Sequence, residues 1–140
     1  MLKTYLILKY KKHGKEPLYV IPEEVLQRII LHLKNKGVEC GKIKRGTFMV
    51  YCKCSPNVGI GVAEDIYFDY KEAAMISVAC SNYTSFWQHI FKRPKDEEIY
   101  SGDALQKFVN LVDEAIRSDD YFIIHHDWMH RSEYLSIIRP

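Results

Sequence analysis

Three apolar runs lie between residues 47 and 80 with only short turns separating them, and this spacing constrains the fold more than any other feature of the chain. Residues 47–54 follow a two-residue period, which places Phe48, Val50, Cys52 and Cys54 on one face and Met49, Tyr51 and Lys53 on the other. Ser55-Pro56-Asn57 is turn chemistry and leads into residues 59–68; Asp69-Tyr70-Lys71 turns the chain again, into residues 73–80. Connections this short suit neighbouring antiparallel strands, so an antiparallel meander is predicted.

The flanking segments extend the pattern. Residues 2–10 and 18–21 are β-branched, aromatic and apolar, and read as two strands joined by the polar loop Lys11-Lys12-His13-Gly14-Lys15. A helix is predicted over residues 22–36. Pro22 suits its first position, Glu23 and Glu24 complement the dipole, and Lys34 and Lys36 stand at the far end. Val25, Leu26, Ile29, Ile30 and Leu33 form its apolar stripe, and Gly37 is placed to stop it. Residues 38–44 read as a short strand turned by Arg45-Gly46. Further on, residues 84–92 suit a short helix ended by Pro94, residues 94–102 a charged loop, and residues 103–117 an amphipathic helix with Leu105, Phe108, Val109, Val112 and Ile116 on one side. Residues 121–124 fit either a strand or the start of a helix, and residues 134–138 read as a final strand. The expected fold is α+β: a mostly antiparallel sheet of about five to seven strands, an early amphipathic helix and two or three further helices.

Residues 1–140 suit a single domain, since a second core would leave both too small. Hydrophobic residues make up 47% and charged residues 27% of the chain, which excludes a disordered composition. No stretch approaches the ~20 apolar residues that a membrane span needs, and the apolar run at residues 4–8 is too short for a secretory leader. Cys40, Cys52, Cys54 and Cys80 are then expected to be reduced thiols in a cytoplasmic protein. The formal charge of +2 conceals a division. Residues 1–45 hold eleven Lys/Arg against four Asp/Glu, whereas residues 46–140 hold nine against fourteen.

Several constellations invite a chemical reading. His126 and His130 would share one helical face if their segment were helical, with Asp127 where a zinc protease carries its general base. Glu133 stands near, but no third ligand completes the pattern, and flanking strands would destroy it. Cys52 and Cys54, with Cys40 and Cys80, would need to converge from separate strands to hold a metal, so core packing is their expected role. Gly59-Ile60-Gly61 lacks the residues of a phosphate loop and reads as relief of crowding in a strand. Lys9, Lys11, Lys12 and Lys15, interleaved with Tyr10 and His13, make residues 9–15 a basic segment of the kind that contacts phosphates, although a pI of 8.3 is low for a nucleic-acid-binding domain. No cofactor, resident metal or catalytic residue is expected.

Acidic clusters at Glu64-Asp65 with Asp69, Asp96-Glu97-Glu98, Asp113-Glu114 and Asp119-Asp120 lie close in sequence to Tyr67, Tyr70, Tyr83, Trp87, Tyr100 and Trp128. Carboxylates steer and orient encounter while aromatic rings anchor it, so a protein-binding surface is expected at Glu64, Asp65, Tyr67, Asp69 and Tyr70, with Asp96, Glu97 and Glu98. In size, α+β pattern, aromatic content and acidic clusters without catalytic residues, the chain resembles the small bacterial immunity proteins of contact-dependent growth inhibition. That resemblance implies a non-enzymatic cytoplasmic protein that binds and neutralises a cognate toxin such as a nuclease; with no apolar span a membrane partner is not expected, and the pI argues against nucleic acid. The alternatives are a small metal-dependent hydrolase built on His126 and His130, and a nucleic-acid-associated domain built on residues 9–15.

Overall fold

In a computed structural model, residues 2–11, 19–64, 72–80 and 99–138 are described. The expected helix over residues 84–92, the loop residues 94–98 and the tip residues 12–15 lie outside them. Among the described residues, six strands form one sheet: β1 (Tyr5–Tyr10), β2 (Lys44–Arg45), β3 (Met49–Cys54), β4 (Val58–Glu64), β5 (Ala73–Cys80) and β6 (Phe122–Met129). Their order is β2-β3-β4-β5-β1-β6, with every pairing antiparallel. Three described helices accompany them: α1 (Pro22–Asn35), α2 (Asp103–Arg117) and α3 (Arg131–Ile138). The predicted α+β class holds, and β3 to β5 follow the predicted meander; the strand expected over residues 38–44 is instead an isolated bridge at Cys40 and the two-residue β2, which takes in Arg45 from the expected turn.

The predicted hairpin between residues 2–10 and 18–21 does not form. β1 sits inside the sheet with both edges taken, Leu6 opposite Ile76 of β5 and Leu8 opposite Ile124 of β6. That position explains why Tyr5, Leu6, Ile7 and Leu8 are all buried: both faces of a central strand are covered. Residues 19–21 instead run alongside as the approach to α1. The Ile21 amide donates to the Tyr10 hydroxyl (3.1 Å), which in turn donates to the Ile21 carbonyl (3.3 Å). Burial pushes the Tyr10 hydroxyl up to about 12, so it stays a neutral donor.

One sheet face carries the main core. Leu6 and Leu8, Val50 and Cys52, Ile60 and Val62, Ile76 and Val78 meet the predicted stripes of α1 and α2 there. α1 stops as predicted, with Gly37 at φ +83°. The Gly37 amide donates to the Lys34 carbonyl and the Val38 amide to that of Leu33, which answers two of the helix's free carbonyls. Gly37→Ala is expected to cost about 1–2 kcal/mol in denaturant unfolding, because a Cβ is strained in this left-handed conformation.

The opposite face is covered differently from expectation. Residues 134–138 are not a strand but part of α3, whose Tyr134, Leu135 and Ile138 pack with Tyr5, Ile7 and Met129. Positions i, i+1 and i+4 make a helical stripe, and five residues were too few to separate that period from a strand's. A local signal was present: Glu133 accepts from the His130 amide (3.2 Å), the backward half of a capping box. Phe48, predicted to share a strand face with Val50, lies in the bend before β3 and is exposed.

Candidate partner-binding surface

Asp113, Glu114, Asp119 and Asp127 are engaged within the fold. Asp119 accepts two bonds from the Arg28 guanidinium, at 2.8 and 2.7 Å, tying the end of α2 to α1. Arg28 also lies over the Tyr121 ring at 4.4 Å, and Tyr121 packs on Tyr10 with centroids 4.7 Å apart. Glu114 pairs with Lys36, the C-cap of α1, at 3.1 Å. Asp113 and Asp127 both hold Arg117, at 2.7 and 2.8 Å, and the Trp128 indole N–H donates to Asp113 at 2.8 Å. These carboxylates clasp helix to helix and helix to sheet. Trp128 is half-buried in this network, and Tyr100 packs against Tyr5 with centroids 6.1 Å apart. Neither of these two aromatics is an open anchor.

The clasp has a pH consequence. Hydrogen bonds from Arg28, then that from the Tyr121 amide, hold the Asp119 carboxyl below its ordinary range despite partial burial. An unfolded chain takes up that proton more readily, so the pair's stabilisation is complete above about pH 4 and is lost as pH falls through the lower folded value. Asp119→Ala is expected to destabilise by about 1–2 kcal/mol near neutrality, and by progressively less at lower pH. Urea titrations of both proteins across that range measure it; a constant difference down to pH 2 would show that the ion pair is not its source.

The histidine segment does not have the geometry that metal binding required. His126 lies within β6, and His130 precedes α3. Four residues along a strand span roughly 13 Å, against roughly 6 Å along a helix, so the shared helical face is absent. His130 serves the start of α3 instead, its amide bonded to Glu133. Among the described residues, no group of three His, Cys, Asp or Glu side chains is placed to hold a metal ion. All four cysteines are free thiols, with Cys52 and Cys54 buried. Burial pushes the thiols of Cys52, Cys54 and Cys80 up, opposite to the shift that activates a nucleophile. Gly59 and Gly61 keep regular register in β4, and Gly61 leaves the space across which Met49 lies.

Of the residues expected to bind a partner, Glu64 is described; Asp65, Tyr67, Asp69, Tyr70, Asp96, Glu97 and Glu98 lie outside the described residues. Glu64 is exposed at the end of β4 and lines a concavity of about 720 Å³ with Ile21, Phe48, Met49, Val50 and Ala63. Phe48 is 86% exposed and Ile21 55%, so the mouth is apolar. Arg45 and Glu23, which pair with each other, also line it. Two large apolar side chains left open at one concavity, with charges around them, is how interface anchors are arranged. Sequence reasoning missed Phe48 by extending the strand period two residues too far; the turn read at Arg45-Gly46 in fact continues through a bend at residues 47–48.

Comparison with known proteins finds no family model, no curated protein and no solved structure that matches this chain. Among the described residues, no helix is long and apolar enough to cross a membrane.

Proposed function

We propose that this chain is a non-catalytic protein-binding module that acts as a bacterial immunity protein, covering a cognate toxin. The observation that carries the reading is Phe48, held in the open at an apolar concavity shared with Ile21 and Glu64. Leaving such a ring in water forgoes roughly 2 kcal/mol of burial, which a partner's surface would supply. Glu64 and the Arg45–Glu23 pair at the same concavity would orient the partner more than hold it. Asp65, Tyr67, Asp69 and Tyr70 continue the chain from Glu64 and, with Asp96, Glu97 and Glu98, remain part of the proposed surface on sequence grounds.

The test is capture from the native host, followed by expression of the captured protein alone and with this chain. One stoichiometric partner is expected, toxic alone and harmless in combination. A partner harmless on its own would remove the immunity role.

A second reading has its own observation. Lys44 lies directly opposite Tyr51, with Lys53 two residues further along the same exposed row. Cations beside an exposed ring suit single-stranded nucleic acid, which tracks charge and stacks bases. This reading moves the basic site away from residues 9–15. Oligonucleotide binding that weakens steeply with salt and is lost in Tyr51→Ala would support it; absence of binding at low salt would remove it.

A further inference from the structure

Three sulfur atoms lie together on the sheet, apart from the proposed binding surface. Cys40, in the linker between α1 and β2, forms a single antiparallel bridge with Cys54 of β3. The Gly41 amide donates to the Lys53 carbonyl at 2.8 Å, and the Ser55 amide to the Glu39 carbonyl at 2.9 Å. These bonds flank the bridge, so Cys40 and Cys54 face each other at a non-hydrogen-bonded position, the type with Cα atoms only about 4.5 Å apart. That spacing falls within the 4.4–6.8 Å that a disulfide accepts, roughly, and the two Sγ atoms are already 3.5 Å apart. Side-chain rotation alone can close the remaining gap.

The other thiols are less suited. Cys52 Sγ is 4.0 Å from Cys54 Sγ, but the two residues are neighbours along one strand face. Their Cβ atoms stand roughly 6.6 Å apart, beyond the ~4.5 Å limit for a disulfide. Cys80 is opposite Val58, which is opposite Cys54, so it lies two strands away, and its thiol donates to the Ser101 carbonyl at 3.7 Å.

We propose that Cys40 and Cys54 form an oxidisable pair that a peroxide converts to a disulfide, fastening the α1–β2 linker to β3. Cys40 is the half-buried member and meets the oxidant first; Cys54 is buried beneath it. The Cys40 sulfur attacks the O–O bond, takes one oxygen as sulfenic acid and releases the other as water. The Cys54 sulfur then attacks the Cys40 sulfur, and the displaced hydroxyl leaves as a second water with the Cys54 proton. Two thiols and one hydrogen peroxide become one disulfide and two waters. The linked residues are 14 apart in sequence, and closing a loop of about that length favours the folded state by roughly 100-fold.

The full chain is reduced, treated with hydrogen peroxide, alkylated and mapped by peptide mass. The expected product joins Cys40 to Cys54, leaves Cys52 and Cys80 alkylated, and reverts with dithiothreitol. The roughly 100-fold gain in the folding equilibrium should vanish in Cys40→Ser, a change at a half-buried linker position, and persist in Cys80→Ser. Alkylation of all four cysteines after oxidation would overturn the proposal, as would a disulfide that includes Cys52 or Cys80. Dimedone trapped on Cys54 instead of Cys40 would overturn the order of the steps.

Discussion

Ile29→Ala is expected to lower folding stability by about 2–5 kcal/mol, the usual loss when a buried aliphatic chain is cut back and its surroundings relax only partly. Ile29 is fully buried at the centre of the α1 stripe, between Val25, Leu26, Ile30 and Leu33. α1 packs on β3, β4 and α2 at once, so the cavity would open where three elements meet and none can move in without leaving another. Urea unfolding with an unchanged m-value measures the loss cleanly. A loss below about 0.5 kcal/mol, the range of ordinary surface changes, would contradict the packing of α1 on the sheet.

Phe48→Ala is expected to act in the opposite place. Its ring is 86% exposed, so folding stability should stay within about 0.5 kcal/mol of wild type. Affinity for the captured partner should fall by about 2 kcal/mol or more, roughly 30-fold, if the ring anchors the interface. Ile21→Ala should weaken binding in the same direction. Calorimetric titration and denaturant unfolding of the same preparations separate the two effects. Unchanged affinity in both variants would take the concavity out of the binding surface, while leaving the capture and toxicity result to decide the immunity role.

The structure also redistributes the charges that the sequence placed in clusters. Asp113, Glu114 and Asp119 looked like steering groups because they are crowded along the chain. Each instead meets a cation: Arg117, Lys36 and Arg28 respectively. Arg28 belongs to α1 and Lys36 caps its end, both far from their partners in sequence, as with the separation of 91 between Arg28 and Asp119. Their role is to fasten the helices, and the proposed binding surface is drawn instead at the open end of β3 and β4.

What the sequence determined by itself is local. The stripe of α1 and its stop at Gly37, the limits of α2 at Asp103 and Arg117, and the meander from β3 to β5 follow from side-chain period, turn residues and capping preference, all of which act within a few positions. The tertiary structure decided what depends on partners far along the chain. β1 was readable as a strand, but its place between β5 and β6 was not, because an apolar run says only that both faces are covered. Residues 122–129 became a strand once β1 offered them an edge, which pulled His126 and His130 apart. Residues 134–138 became helix because Tyr5, Ile7 and Met129 needed cover on the second face. Cys40 meets Cys54 for a similar reason: the register of an isolated bridge is set by the backbone bonds on either side of it, and no spacing along the chain announces it.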